Sequence, residues 1–344
     1  MRHIKISIIT ILLMTTVFSP KPDAASADPA VKIGICFTSV GPGDLSFNNM
    51  LYSGSIEVQG KYGVEFVYRT AASDTTEGFT QALEELVEQE GADLVLTLGF
   101  QAGAALNTAA ARYPDTTFAL FDVVAEPSDN VASVIYAQHE GAFIGGALMA
   151  YVSQTRKVGF IAGVNIDILG AFVQGFQEGL DYVDPSMEFW VEYCSLLPDF
   201  SGFNAPEKGY EIANRMYREG ADILFNGAGA SGPGIIQAAL EHQKYVIGSD
   251  ANQDYLAPGF VLTSLMKRLD VSMIDICEKF IRGEFQGNTT YEYGLHNGGI
   301  SLTPMEFTQK KISPETLEKL QRITAQIISG EIVVTNTLRP PEND

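Results

Sequence analysis

The sequence predicts an α/β protein of two lobes, each a parallel sheet flanked by helices, with a multi-strand hinge between them. The 344 residues suffice for two domains of about 100–200 residues each. Short apolar, β-rich runs alternate with longer segments of helical period, and part of this pattern recurs 129 residues later, from Gly91 to Gly220. Strands that alternate with helices form parallel sheets covered on both faces.

The first half of the chain supplies one complete set of alternating elements. Asp74 has the form of a helix N-cap, with Glu77 as the acidic residue three places on, and Gly91 ends the helix that follows. The other two predicted helices span 47–61 and 104–112. The predicted strands of this half are 31–37, 64–69, 93–99 and 117–123.

The second half repeats the alternation and adds a tail that crosses back between the lobes. Its last helix is amphipathic, and the final residues 340–344 are expected to fray. The predicted strands are 157–163, 187–193, 222–226, 245–248, 260–265 and 290–294. The predicted helices are 169–182, 206–220, one around 235–242, 271–281 and 314–329.

An internal match relates the two halves. The sequences from Gly91 to Asp93 and from Gly220 to Asp222 both read Gly-Ala-Asp, and each ends a helix and begins a strand. Each strand runs into a Gly-rich turn, and the next strand ends in an aspartate, Asp122 or Asp250. Because ligands bind outside the carboxyl ends of parallel strands, these turns and aspartates predict a shared cleft between the lobes.

The domain boundaries follow from this repeat. Residues 28–124 with about 265–287 are expected to form the N-terminal lobe. Residues 125–264 with about 288–335 are expected to form the C-terminal lobe, and 336–344 a frayed tail.

Residues 1–27 have the features of a secretory signal peptide. Arg2, His3 and Lys5 precede an uncharged run of thirteen residues from Ile6 to Phe18, too short to cross a bilayer as a helix. Ala25-Ser26-Ala27 provides a small-residue cleavage site, and no cysteine lies near it to carry a lipid. We therefore expect a periplasmic protein that is not lipidated.

Charge and motifs exclude several functions. A net charge of −20 argues against a nucleic-acid partner, because phosphate backbones are bound mainly by clustered Lys and Arg. No Gly-x-Ser-x-Gly elbow, P-loop or metal-ligand spacing is present, so we expect no enzyme, cofactor or metal. Cys36, Cys194 and Cys277 show no disulfide framework, although one bridge remains possible.

Five residues suit a ligand that combines an aromatic ring with hydroxyl groups. Phe47 and Asn48 begin the first helix, and Phe225 ends a strand of the other lobe, so the two rings are placed to sandwich a planar group. Asp250 and Lys267 supply an acceptor and a donor for vicinal hydroxyls. The alternatives are that Phe225 is a core residue, that Phe47 only packs at a helix start, and that Asp250 and Lys267 form a structural ion pair.

From about Val31 to Thr303 the chain resembles the basic-membrane-protein family of ABC-transporter substrate-binding proteins, of the PnrA-like type. The matching segments lie in both lobes and in the family's order. They are 43–48 (GDLSFN), 113–122 (YPDTTFALFD), 140–146 (EGAFIGG), 172–179 (FVQGFQEG), 248–253 (GSDANQ), 263–267 (TSLMK) and 293–299 (YGLHNGG).

This resemblance implies a type I periplasmic binding protein that binds a nucleoside and passes it to an ABC permease. Among nucleosides, it implies a purine nucleoside before the others. By analogy Phe47 and Phe225 sandwich the base, and Asp250 and Lys267 hold the ribose hydroxyls. We expect a monomer with no cofactor. The remaining cleft-wall residues implied by the family are Asn48, Phe100, Asp122 and Gly227.

One position departs from the family pattern. Members commonly carry an Asp six positions before Asp44, where this chain has Thr38, preceded by Phe37. Both are included among the predicted ligand-binding residues. A missing carboxylate removes an acceptor for ring N–H or amine donors, so a nucleobase, a pyrimidine nucleoside or a modified purine remain open as ligands. A sensory protein that presents such a ligand to a membrane receptor is the alternative function.

Overall fold

The computed structural model describes residues 31–338. The predicted signal peptide at 1–27 and residues 339–344 of the predicted tail lie outside the described range. Within 31–338, no helix combines the length and apolar character needed to cross a membrane.

Strands and helices alternate as the sequence predicts. The strands are β1 Lys32–Phe37, β2 Glu65–Thr70, β3 Leu94–Leu98, β4 Thr117–Phe121, β5 Val131–Tyr136, β6 Lys157–Ala162, β7 Glu188–Tyr193, β8 Ile223–Gly227, β9 Tyr245–Asp250, β10 Val261–Lys267, β11 Thr289–Tyr293 and β12 Ile300–Leu302. The helices are α1 Phe47–Tyr62, α2 Thr76–Glu88, α3 Gly103–Arg112, α4 Gln138–Val152, α5 Asp167–Val183, α6 Pro206–Arg218, α7 Gly232–His242, α8 Leu269–Ile281 and α9 Pro314–Ile328.

Two six-stranded sheets organise the chain. The first has the order β11-β5-β4-β3-β1-β2 and the second the order β12-β10-β9-β8-β6-β7. Neighbouring strands pair in parallel, except that β12 runs antiparallel to β10 at the edge of the second sheet. Central strands such as β3 are buried along their whole length, as expected for a parallel sheet with helices on both faces.

The chain passes between the sheets three times, and this differs from the predicted boundaries. It leaves the first sheet after Tyr136, returns after Lys267 and leaves again after Tyr293. Segments 125–136 and 288–293 were assigned to the C-terminal lobe, but β5 and β11 pair in the first sheet. The crossings bond to one another: Ala137 N donates to Tyr293 O over 2.8 Å, and Arg268 N donates to Gly299 O over 2.9 Å.

Helix α4 follows the first crossing and packs closely on α5. A Cβ atom at Gly179 would lie 2.0 Å from Phe143 O, and one at Gly146 would lie 2.2 Å from Phe176 O. The two backbones therefore approach at distances that only glycine allows. The sequence pattern predicts neither β5 nor α4; helix α4 is apolar on nearly every side and lacks the polar face of an amphipathic helix.

The N-cap of helix α2 differs from the predicted one. Helix α2 is capped by Thr75, whose hydroxyl accepts from Gly78 N over 3.3 Å, and not by Asp74. Asp74 accepts instead from the backbone N–H of Ser39 over 2.9 Å and from its hydroxyl over 2.7 Å.

The three cysteines are free and buried, so the structure contains no disulfide among them. Burial raises the pKa of Cys36 to about 12 and that of Cys194 to about 11. The thiolate is the reactive form, so these thiols are structural.

Candidate functional site

A cavity of about 110 Å³ lies between the two lobes, where the carboxyl ends of the central strands face each other. Residues that follow β1, β3 and β4 line one side, and residues from β8, β9 and β10 line the other. This is where an open parallel sheet places its ligand.

The structure brings nine of the ten predicted site residues to this cavity. They are Thr38, Phe47, Asn48, Phe100, Asp122, Phe225, Gly227, Asp250 and Lys267.

Phe37 does not line this cavity. It is 1% exposed, and its ring stacks on Tyr68 with centroids 6.1 Å apart. Side chains of neighbouring residues along a strand point to opposite faces. Because the Thr38 side chain faces the cavity, that of Phe37 points into the core.

Aromatic side chains form the walls. Phe225 is fully buried and packs against Phe160 and Phe176, with centroids 4.8 and 4.6 Å away, so it is both a core residue and a cavity wall. Phe172 also lines the cavity and stacks near Phe225, with centroids 5.9 Å apart and planes at 27°. Helix α5 therefore adds an aromatic residue that the site prediction lacked.

Phe172 lies close to two of the predicted site residues, Phe47 and Lys267. The Lys267 ammonium lies 5.3 Å from the centroid of its ring and 5.6 Å from that of Phe47, so both rings flank the same cation. Phe172 begins one of the segments that carried the family resemblance, which was the available signal. Other wall residues absent from the prediction include Asp44, Ile166, Leu169, Phe203 and Ser249.

Three charged side chains meet at the end of the aromatic walls. Lys267 Nζ donates to Asp122 Oδ1 over 2.8 Å, and the two side chains are 3% and 8% exposed. Asp250 Oδ2 accepts from Ser46 Oγ over 2.5 Å. The structural ion pair of this site therefore joins Lys267 to Asp122.

Burial controls the protonation of both aspartates. It raises the pKa of Asp122, against the opposing effect of the Lys267 charge. It also raises the pKa of Asp250, against Lys267 and the Ser46 hydroxyl, while the nearby Asp122 charge raises it further. A ligand hydroxyl that donates to these carboxylates would relieve their desolvation.

Asp122 and Asp250 share an unusual backbone conformation. Their φ angles are 76° and 61°, in the left-handed region that non-glycine residues seldom adopt. Asp122 directly follows β4 and Asp250 is the last residue of β9, at the positions that the internal repeat relates. Backbone strain of this kind concentrates at binding sites, where it aims a side chain.

The start of α1 holds the opposite wall in place. Asp44 caps the helix, accepting from the N–H groups of Ser46, Asn48 and Asn49 over 2.9, 2.8 and 3.0 Å. The Asn48 amide then donates to Thr38 Oγ1 over 2.9 Å. The Thr38 hydroxyl and the Asn48 amide thus form a polar edge of the cavity.

The cleft is closed in this structure. Besides the ion pair, Gln253 Nε2 of the second lobe donates to Leu45 O of the first over 2.9 Å. The rings of Phe100 and Phe200 also meet across the mouth, with centroids 5.5 Å apart.

One buried hydroxyl in the cavity is unpaired. Ser249 is 3% exposed, and its Oγ has no hydrogen-bond partner within residues 31–338. Buried polar atoms are nearly always hydrogen-bonded, so this hydroxyl indicates a polar ligand. Over the same range, no group of three or more His, Cys, Asp or Glu side chains is placed to hold a metal ion.

Two parallel sheets, three mutually bonded crossings and a closed interlobe cavity together define a solute-binding protein. The profile of the Bmp family, described as "ABC transporter substrate-binding protein PnrA-like", matches residues 31–337. The chain belongs to this family, whose members are extracytoplasmic substrate-binding proteins and not enzymes.

Individual relatives agree with this assignment. The chain is 29% identical to "Basic membrane protein A" of Borreliella burgdorferi, over 95% of this chain and 94% of that protein. It is 30% identical to "ABC transporter nucleoside-binding protein BmpA" of Lactococcus lactis, over 88% and 89%. A solute-binding protein of an Aeropyrum pernix ABC transporter system superimposes with a TM-score of 0.78 at 26% identity, over 89% and 94%.

Proposed function

We propose that this protein acts outside the cytoplasm, where it binds a nucleoside in the cleft between its lobes and delivers it to an ABC permease. A purine nucleoside is the ligand that we expect before any other nucleoside. The observation that carries the proposal is the group of Asp122, Asp250 and Lys267 at the end of an aromatic cavity, in which the side chains of the Lys267–Asp122 pair are largely buried. The relative from Lactococcus lactis, whose name states nucleoside binding, supports the same ligand class.

The aromatic part of the cleft suits a flat base. Phe47 and Phe172 flank the Lys267 ammonium, and Phe225 lies behind Phe172. Each favourable stack of a base on such a ring contributes about 1 kcal/mol. We assign the base to the space between Phe47 of the first lobe and the Phe172–Phe225 pair of the second.

The charged end suits vicinal hydroxyls. A carboxylate only accepts hydrogen bonds and an ammonium only donates them, whereas each ribose hydroxyl does both. Asp250 would accept from one hydroxyl, while Lys267 donates to its neighbour. Because these residues and Phe47 come from both lobes, the ligand would hold the lobes together, and closure would create the surface that the permease recognises.

Calorimetric titration of the ligand-free protein with purine nucleosides, pyrimidine nucleosides, free bases, sugars and amino acids tests the proposal. We expect saturable binding of nucleosides, and a loss of more than tenfold for Asp250→Asn. Asp115→Asn serves as the control, because Asp115 is exposed and lines neither of the two cavities of this chain that are described below. Binding confined to sugars or amino acids would refute the proposal, and equal affinity for Asp250→Asn would refute the assignment of Asp250 to the ribose.

A further inference from the structure

A second and larger cavity adjoins the candidate ligand cleft. It encloses about 820 Å³, within the range of small-molecule pockets. Phe100, Asp122, Ile166 and Ile168 belong to the walls of both cavities, so the two meet at the aspartate of the interlobe ion pair. The second cavity extends from there along β5 and β11, at the edge of the first sheet.

The second cavity contains a buried acceptor without a donor. Gln138 is the first residue of α4, directly after a chain crossing, and it is 2% exposed. Its Oε1 has no hydrogen-bond partner within the described part of the chain. Leaving a buried carbonyl unpaired is unfavourable, so a ligand group that donates to it is bound more tightly.

The charges of this cavity have one sign. Its walls include the carboxylates of Asp122, Asp167 and Glu292, and none of its described wall residues is Lys or Arg. Lys267 lies 2.8 Å from Asp122 at the wall shared with the first cavity, so a phosphate placed farther in would meet the carboxylates of Asp167 and Glu292. An ammonium or a neutral donor would meet complementary groups.

Resting on the nucleoside proposal, we propose that the second cavity binds a donor-bearing, uncharged or positively charged substituent on the 5′ side of the ligand's sugar. If Asp250 and Lys267 hold the ribose hydroxyls, the sugar lies beside Asp122, which is the wall shared by the two cavities. The substituent continues past Asp122 toward Gln138. The protein therefore accepts extended nucleosides and rejects nucleotides.

Three ligands that differ only in the 5′ group test this inference by calorimetry. They are a nucleoside that binds in the first screen, its 5′-deoxy-5′-(3-aminopropylthio) derivative and its 5′-monophosphate. We expect the aminopropylthio derivative to bind at least as tightly as the parent, and the monophosphate at least a hundredfold more weakly. Failure of the parent nucleoside to bind would overturn the proposed function, whereas a parent that binds while the extended derivative does not would overturn this inference alone.

Variants of residues that line the second cavity test whether the 5′ substituent binds there. Val124 is 59% exposed and lines only the second cavity, whereas Val333 is 84% exposed and lines neither. Val124→Trp should weaken the extended derivative at least tenfold and leave the parent unchanged, while Val333→Trp should affect neither. Gln138→Met, which keeps the shape but removes the acceptor, should also weaken only the extended derivative. Equal affinity of the derivative for all three variants and the wild type would contradict the assigned cavity.

Discussion

Lys267 Nζ lies 2.8 Å from Asp122 Oδ1; Lys267 ends β10 of the second sheet, and Asp122 directly follows β4 of the first. The pair is therefore both part of the binding site and a bond between the lobes. Asp250 completes the arrangement, since it receives the Ser46 hydroxyl from the first lobe. The same groups that would hold a sugar also join the lobes, so we expect ligand binding to be coupled to closure of the cleft.

Removing the cation of this pair should destabilise the protein. Lys267→Met leaves the Asp122 carboxylate, whose side chain is 8% exposed, without its cation, and breaking a buried ion pair typically costs about 3–5 kcal/mol. We expect a loss of that order in the free energy of unfolding, measured by urea denaturation. Lys310→Met, at an exposed position, is the control. The double variant Asp122→Asn/Lys267→Met should regain part of the loss, and a double variant less stable than Lys267→Met would contradict the pairing.

Asp250 should weaken the folded state at neutral pH. Burial raises its pKa above the ordinary value of 3.8, so the folded chain holds this proton more tightly than the unfolded chain does. Its contribution to stability is fully present below the ordinary pKa and is lost as pH rises through the raised pKa. Asp250→Asn lacks this titration. The free energy of unfolding of the ligand-free variant, minus that of the wild type, should therefore increase between about pH 4 and about pH 7.

Denaturation curves at a series of pH values measure this difference. The exposed Asp115→Asn serves as the control in the same series. The free energy of unfolding of Asp250→Asn, minus that of the wild type, could instead stay constant or fall as pH rises. That result would show that the Lys267 charge and the Ser46 hydroxyl outweigh burial in their effect on the pKa of Asp250. A residue kept at the expense of stability is expected to serve binding.

The alternation of strands and helices and the Gly-Ala-Asp repeat were sufficient to predict the two sheets. The position of the first crossing was not predictable in this way. Helix α4 is apolar on nearly every side and depends on contact with α5 through Gly146, Gly175 and Gly179. That contact joins segments far apart in sequence, and a local pattern does not contain it.

The site shows the same division between local and long-range information. Asp122 and Asp250 end strands, and the rule that ligands bind at strand ends was enough to place them. Phe172 lies on a helix and reaches the cavity only because α5 packs against the second sheet. Phe37 was included for its position beside Thr38, yet the alternation of side chains along a strand turns it into the core.

Ser46 should control how readily the cleft closes. Its hydroxyl donates to Asp250 across the lobes, so Ser46→Ala removes an interlobe hydrogen bond to a charged group, worth about 1.5–3 kcal/mol. We expect a larger radius of gyration by small-angle scattering without ligand, and a wild-type value once a nucleoside saturates the cleft. Ser53→Ala on the same helix is the matched control, because Ser53 is exposed and bonds only to Asn49 O. Equal radii for the two ligand-free variants would contradict a role for Ser46 in closure.

Two glycines of α5 should respond in opposite directions to the same substitution. A Cβ at Gly179 would lie 2.0 Å from Phe143 O, whereas one at Gly170 meets nothing within 4 Å. Gly179→Ala forces α4 and α5 apart and should lower the free energy of unfolding by about 1–3 kcal/mol. Gly170→Ala should raise it by up to about 1 kcal/mol, because alanine favours the helix without a clash. If both variants were stabilised, α4 and α5 would not be packed through their glycines, and the first crossing between the lobes would follow another path.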